Sequence, residues 1–79
     1  MYYFYILQSK KDNSYYHGST NDLRRRTNEH VSGRVISTKH HLPIVLVYYE
    51  AYSTLIKARL RELQVKKSGS IRTNLHKRI

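Results

Sequence analysis

The chain has 79 residues and a mass of 9.5 kDa: room for one small domain over residues 1–79 that buries only about 60% of the surface its unfolded form exposes, and none for a separate lid or recognition domain. Fifteen Lys and Arg against five Asp and Glu give a formal charge of +10 and a pI near 10.2, so a polyanion is the expected partner and an acidic metabolite is not. The lack of cysteine excludes disulfides, cysteine-ligated zinc and thiol nucleophiles, while the longest apolar run, Ile44 to Tyr49, is far too short to span a bilayer and no basic leader precedes Tyr2, so a cytoplasmic protein with no membrane partner is expected.

Tyr2, Phe4 and Ile6 alternate with Tyr3, Tyr5 and Leu7 at strand period. Lys10-Lys11-Asp12-Asn13-Ser14 suits a turn, and Tyr15-Tyr16-His17-Gly18 reads as the returning strand of a hairpin. Ser19 to Asp22 offers N-caps for a helix from Leu23 to Val31 that Gly33 ends. Leu23, Thr27 and Val31 are expected to face the sheet, with Arg26 and His30 on an adjacent stripe. Arg34 to Leu42 reads as a polar loop closed by Pro43. Ile44 to Glu50, nearly continuous in apolar residues, predicts a third strand covered on both faces and therefore central. Ser53-Thr54 caps a second helix, Leu55 to about Lys67, whose expected buried stripe is Ile56, Leu60 and Leu63. Ser68-Gly69-Ser70 breaks it, and Ile71, Leu75 and Ile79 recur at helical spacing in a short last helix. The expected fold class is α+β: a small three-stranded, at least partly antiparallel sheet flanked by helices, in the order β-β-α-β-α-α.

Residues 51–79 carry eight Lys and Arg against Glu62 alone; that charge serves either as a phosphate-contacting surface or as a solvated face. Eight tyrosines with one phenylalanine and no tryptophan are an uneven aromatic set, since phenols can pack, hydrogen-bond, stack on bases or titrate. Tyr5 and Tyr16 on the first two strands, Arg26 and His30 on the first helix and Glu62 on the next form an ordered series that resembles the GIY-YIG nuclease domain. The first motif stands as Tyr3-Phe4-Tyr5 followed by Ile6-Leu7-Gln8-Ser9. The second is Tyr16-His17-Gly18 followed by Ser19-Thr20-Asn21-Asp22-Leu23, its tyrosine eleven residues after the first. Leu46-Val47-Tyr48-Tyr49-Glu50 looks like the family's third strand, and Ala58-Arg59-Leu60-Arg61-Glu62 like the helix that bears its metal-binding glutamate. The resemblance runs from Tyr2 to about Lys67 and is to the small single-domain members. The first motif lacks the glycine and isoleucine of the family name, and His17 replaces the usual aliphatic residue, pointing away from Tyr16 by strand alternation.

The resemblance implies a metal-dependent endonuclease that hydrolyses DNA phosphodiester bonds through a single Mg²⁺ or Mn²⁺ held by Glu62. Tyr5 and Tyr16 would orient or deprotonate the attacking water, which asks that one phenol titrate below its ordinary pKa of about 10. Arg26 would clamp the phosphate, and His30 would relay the proton or hold the phosphate. Arg24, Arg25, Lys39, Lys66 and Lys67 are the expected contacts to the nucleic-acid backbone. Recognition is then of DNA structure more than of sequence, with RNA also open as a substrate, in a monomer or weak homodimer. The alternative is a basic nucleic-acid-binding module without turnover, in which the tyrosines pack or stack on bases and Glu62 merely pairs with Lys66. His40-His41 shows no third ligand for a metal, and Asn74 is a further polar residue without an assigned place. A membrane-surface role for residues 55–67 is set aside because Ile56, Leu60 and Leu63 are expected in the core.

Overall fold

The N-terminal alternation becomes β1 (Tyr2–Ser9), which pairs antiparallel on one side with β2 (Tyr15–Thr20) and on the other with β3 (Ile44–Tyr52), in a computed structural model that describes residues 1–79. The sheet is therefore wholly antiparallel, in the order β2-β1-β3. That order corrects the expectation that β3 is central. Phe4, Tyr5, Ile6 and Leu7 are each no more than 1% exposed, so β1 is the strand covered on both faces, whereas Tyr49 on β3 stays 54% exposed. The hairpin between β1 and β2 turns through Asn13 at φ 62°, a left-handed conformation that asparagine tolerates. Asp12 fixes the turn by accepting from the backbone and hydroxyl of Ser14 at 2.9 and 2.6 Å.

Cross-strand register sorts the side chains into two layers. Tyr3, Tyr5 and Leu7 share a face with Tyr16, Gly18 and Thr20, and α1 (Leu23–Val31) covers it. Phe4 and Ile6 share the other face with Tyr15, His17 and Ser19, beneath α2 (Leu55–Lys67) and α3 (Gly69–Lys77). The core is correspondingly split. Tyr5, Leu7 and Ile44 pack with Leu23, Leu42 and Leu46, while Phe4 and Ile6 pack with Val65 and Leu75. Each fully buried apolar side chain contributes about 1.5–3 kcal/mol.

Local signals set the helix ends. Asp22 accepts from the Arg25 backbone N–H at 3.0 Å to start α1. At its other end Gly33, at φ 79°, lets its own N–H reach the carbonyl of His30 and that of Arg34 reach Glu29, at 3.1 and 3.0 Å, the paired bonds of a Schellman cap. The buried residue of α1 is His30, while Val31, expected against the sheet, is 48% exposed. Between α1 and β3 the expected loop contains a short 3-10 turn at Lys39–His41.

Thr54 caps α2 through the Lys57 N–H at 3.2 Å. Its buried residues are Ala58 and Val65, and the predicted stripe is turned outward, with Ile56, Leu60 and Leu63 exposed by 72, 54 and 47%. An ion pair on the sheet-facing side accompanies this rotation. Arg61 donates two hydrogen bonds to the Glu50 carboxylate of β3, at 2.9 and 3.2 Å, and Tyr48 and Tyr52 donate to the same carboxylate at 2.5 and 2.6 Å. Burial pushes the Glu50 pKa up, but these four bonds outweigh it and hold the carboxyl below its usual range. Ser68 alone ends α2 and caps α3 through the Ile71 N–H at 3.2 Å, so Gly69 and Ser70 belong to the last helix. Leu75 of that helix is buried and Ile79 is 39% exposed. No helix is long and apolar enough to cross a membrane.

Candidate active site

Tyr5 and Gly18 are cross-strand partners on the α1 face. The phenol leans over the glycine: a Cβ at Gly18 would lie 2.5 Å from the Tyr5 hydroxyl and 2.6 Å from Cζ. Only glycine leaves that space, since such a separation is far inside van der Waals contact. The hydroxyl then meets Nε2 of His30 at 3.1 Å, and Nδ1 of the same ring lies 2.8 Å from Oγ1 of Thr38. Thr38 also reaches the Val35 carbonyl, at 3.5 Å, to which only its hydroxyl can donate. One tautomer satisfies the chain: Nδ1–H donates to Thr38, and Nε2 accepts from the Tyr5 O–H. The Tyr16 ring lies 5.0 Å from the His30 ring, so both phenols flank one imidazole.

Burial raises the Tyr5 pKa, and the guanidinium of Arg26 beside the hydroxyl only partly offsets this. The expectation of a lowered phenol therefore fails at Tyr5, which is a proton donor here. His30 moves the other way, as burial and then the positive Arg26 lower its pKa and keep the ring neutral at pH 7. Arg26 is itself steadied by an ion pair with Glu29 at 3.1 Å and keeps about a third of its side chain exposed.

Glu62 approaches from α2, on the other face of the sheet. It meets β2 at Ser19, the residue after Gly18, whose hydroxyl donates to Oε1 at 2.6 Å. The phenol and the carboxylate thus bracket consecutive residues of an edge strand, one from each face, and the Glu62 charge is close enough to raise the Tyr5 pKa further. Its other oxygen accepts from Lys66 at 2.6 Å, so the plain i, i+4 pair also forms. Glu62 and Ser19 offer hard oxygen atoms, and no cluster of three or more His, Cys, Asp or Glu side chains exists. Such a donor set fits one hydrated Mg²⁺ or Mn²⁺ that keeps most of its waters, and does not fit a tightly caged metal.

The family model of the GIY-YIG catalytic domain matches residues 1–76. The chain belongs to the GIY-YIG family. UPF0213 protein YazA of Bacillus subtilis is 39% identical over 67 residues, covering 84% of this chain and 67% of its own. UPF0213 protein SH2523 of Staphylococcus haemolyticus is 39% identical over 66 residues, covering 82% and 79%. The solution NMR structure of the UPF0213 protein BH0048 from Bacillus halodurans superposes with a TM-score of 0.60 at 35% identity, over 98% of this chain and 84% of that one. The family label carried by these relatives states no activity.

On this GIY-YIG chain, Tyr5, Tyr16, Arg26 and His30 gather on one face, and Glu62 reaches the same strand from the other. Arg24, Arg25, Lys39, Lys66 and Lys67 are all exposed. They are split between α1, the 3-10 turn and α2. Asn74 is exposed on α3. His41 lies 2.7 Å from Asp12 and so ties the loop to the hairpin turn. Sequence reasoning gave no site role to three supporting residues, Gly18, Ser19 and Thr38, although Gly18 stood in the second motif with Ser19 directly after it.

Proposed function

We propose that this chain is a metal-dependent nuclease that hydrolyses DNA phosphodiester bonds one strand at a time. The observation that carries the reading is the seating of Tyr5 over Gly18, hydrogen-bonded to a neutral His30, with Glu62 anchored at the adjacent Ser19. Glu62, with Ser19 beside it, would hold one Mg²⁺ or Mn²⁺, whose charge offsets that developing on the phosphoryl oxygens. Arg26 presents a charged donor fork to the phosphate. Tyr5 takes the proton of the attacking water as it passes its own to Nε2 of His30. The imidazole is thus the final acceptor, and the phenol need not be ionised beforehand. Tyr16, beside the same imidazole and on the same face of the sheet as Tyr5, orients the water. The exposed cations bind backbone phosphates, which gives weak sequence preference and steep salt dependence.

Two observations favour a second reading, a binding module without turnover: Lys66 occupies an oxygen of Glu62, and the Tyr5 phenol is protonated. Supercoiled plasmid separates the two. Nicking in Mg²⁺ or Mn²⁺ that stops with EDTA and with Glu62→Gln is the expected result. Retarded but intact plasmid under all conditions would leave only the binder.

A further inference from the structure

We infer that the depression between α1 and β3 holds an unpaired base of the nucleic-acid substrate, with the neighbouring phosphates on the arginines of α1. The inference rests on the nucleic-acid part of the proposed function and specifies its ligand as a strand with unstacked bases.

The depression measures about 500 Å³ and lies on the Tyr5 face of the sheet, flanking α1 on its β3 side. Its aromatic wall is Tyr3 and Tyr49, whose rings stand edge to face at 6.0 Å and 68°. Tyr49 is 54% exposed although it belongs to the sheet, because α1 does not extend over this part of β3. Leu23 and Leu46 complete the apolar lining. Such a surface offers a flat ring a partner for stacking, and stacking is indifferent to which base is present.

The polar groups suit the edge of a base. Oγ1 of Thr27 is buried with no hydrogen-bond partner in the protein, and Thr27 lines this depression. A buried hydroxyl left unpaired is costly, so a small rotation of Thr27 that brings it to a ligand's polar edge would be favoured. Asn28, exposed on the rim, carries both a donor and an acceptor, as recognition of a base edge requires.

A second basin adjoins the first and contains no apolar residue. About 450 Å³ in volume, it is lined by Arg24, Arg25 and Arg34 together with Asp22 and Glu29, and shares Asp22, Arg24 and Asn28 with the aromatic depression. An aromatic slot continuous with a basin whose three arginines outnumber its two acids, Asp22 engaged as the cap of α1 and Glu29 paired with Arg26, matches the two halves of a nucleotide, base and phosphate. A lipid tail or an apolar peptide would use the first and leave the second unneutralised. Fully paired duplex would fill the basin but could not place a base in the slot without flipping it out.

The test needs no cleavage. Fluorescence anisotropy in EDTA compares an oligonucleotide of about twelve residues with an abasic strand of the same length and charge. The parent protein is expected to bind the base-bearing strand about fivefold or more tightly, because one stacked base is worth at least that factor. Tyr49→Ala should close the gap by weakening only the base-bearing complex, and Tyr49→Phe should keep it. Equal binding of the two strands by the parent, or a gap that survives Tyr49→Ala, overturns the base slot while leaving the nuclease proposal standing. Failure to bind either strand also overturns the base slot, and plasmid nicking then decides the nuclease proposal separately. A protein that shows the gap and never nicks plasmid loses only the catalytic reading.

Discussion

Nε2 of His17 on β2 lies 3.0 Å from Nε2 of His76 on α3, which joins residues 59 positions apart. The ring centroids are 5.2 Å apart and the planes differ by 16°. The separation is thus taken up almost end to end, and the contact is a direct N–H···N bond with no room for an ion between the nitrogens. Tyr15 stacks on His76 at 3.8 Å, and Phe4 lies parallel to His17. The pair therefore fastens the last helix to the sheet.

Acid should loosen that fastening. Burial, then His76, Arg72 and Lys66, lower the His17 pKa to about 4, with Glu62 opposing, and burial with Arg72 lowers that of His76. The folded state binds fewer protons than the unfolded chain between pH 6.5 and about 4, so stability rises with pH through this window and falls as acid is added. A loss of the order of 2 kcal/mol by pH 4 is expected. Urea melts at pH 7, 5.5 and 4 check it. His17→Phe, which removes the group whose pKa is lowered to about 4 and keeps a ring beside Phe4, should flatten the decline, and an equally steep decline in that variant would remove His17 as its cause.

His30 gives the pH dependence of cleavage a different position. The ring must be neutral to accept a proton, and its pKa is lowered. The acid limb of the single-turnover rate should therefore lie below pH 6.5. His30→Phe should slow cleavage by about 10²–10⁴-fold, the usual worth of a positioned acid or base. A limb at or above 6.5, taken where circular dichroism shows an intact fold, rules out His30 as the acceptor.

Gly18→Ala tests the seating of Tyr5. The new methyl would meet the phenol at 2.5 Å, and the ring is only 1% exposed, so it cannot simply swing into solvent. Overpacking of this kind costs about 1–3 kcal/mol. Displacement of the hydroxyl from His30 should also lower the cleavage rate at saturating Mg²⁺. A variant as stable and as active as the parent would show that the phenol has no fixed seat there.

Leu60→Gln should change stability by less than about 0.5 kcal/mol, since the side chain is 54% exposed. Val65→Ala on the same helix removes a fully buried side chain and should cost about 1–3 kcal/mol. Chemical melts of the two variants, read together, check the rotation of α2. If Leu60→Gln proves the more damaging, the helix faces the sheet as its apolar spacing first suggested.

Glu50→Gln should be more costly than its partly exposed position implies. It removes the charge that Arg61 and two phenols share, at about 2 kcal/mol, and the loss should be largest near neutral pH. Because the Glu50 pKa is lowered, its contribution is present above the ordinary carboxylate range and disappears as pH falls through the depressed value. Parent and variant should therefore converge as the pH falls below the ordinary carboxylate range. Thermal melts across pH would reveal it.

What the sequence made legible follows from where the information sits. Strand alternation in Tyr2–Leu7, the cap at Asp22 and the stop at Gly33 are local; the helix bounds drawn from them match the structure, and β1 starts as expected but runs on to Ser9. The rotation of α2 is not local. It is accompanied by Arg61 finding Glu50 across eleven positions and by a triad of hydroxyl and guanidinium donors that no periodicity encodes. The central strand was misassigned for a related reason: a run of apolar residues in β3 marks strand propensity, but which strand is flanked by two others is a property of topology. At the site, the ordered series of Tyr5, Tyr16, Arg26, His30 and Glu62 was visible through its order and spacing, which resemble the GIY-YIG nuclease domain. The place of Gly18 under Tyr5 becomes visible only once the register is known. His30 was legible as chemistry and overlooked as packing, since a polar residue at the centre of a helix's buried side contradicts the apolar rule that chose Val31.

The outward stripe of Ile56, Leu60 and Leu63 has a colloidal consequence. Three greasy side chains on a body carrying +10 are kept apart from those of the next copy chiefly by mutual repulsion. At low ionic strength that repulsion reaches tens of ångströms, and at about 1 M salt it fades within about 3 Å. The brine that strips polyanions from this surface during purification will therefore also invite the naked helices to cling to one another. Light scattering should rise with added salt and subside when Leu60 is made polar.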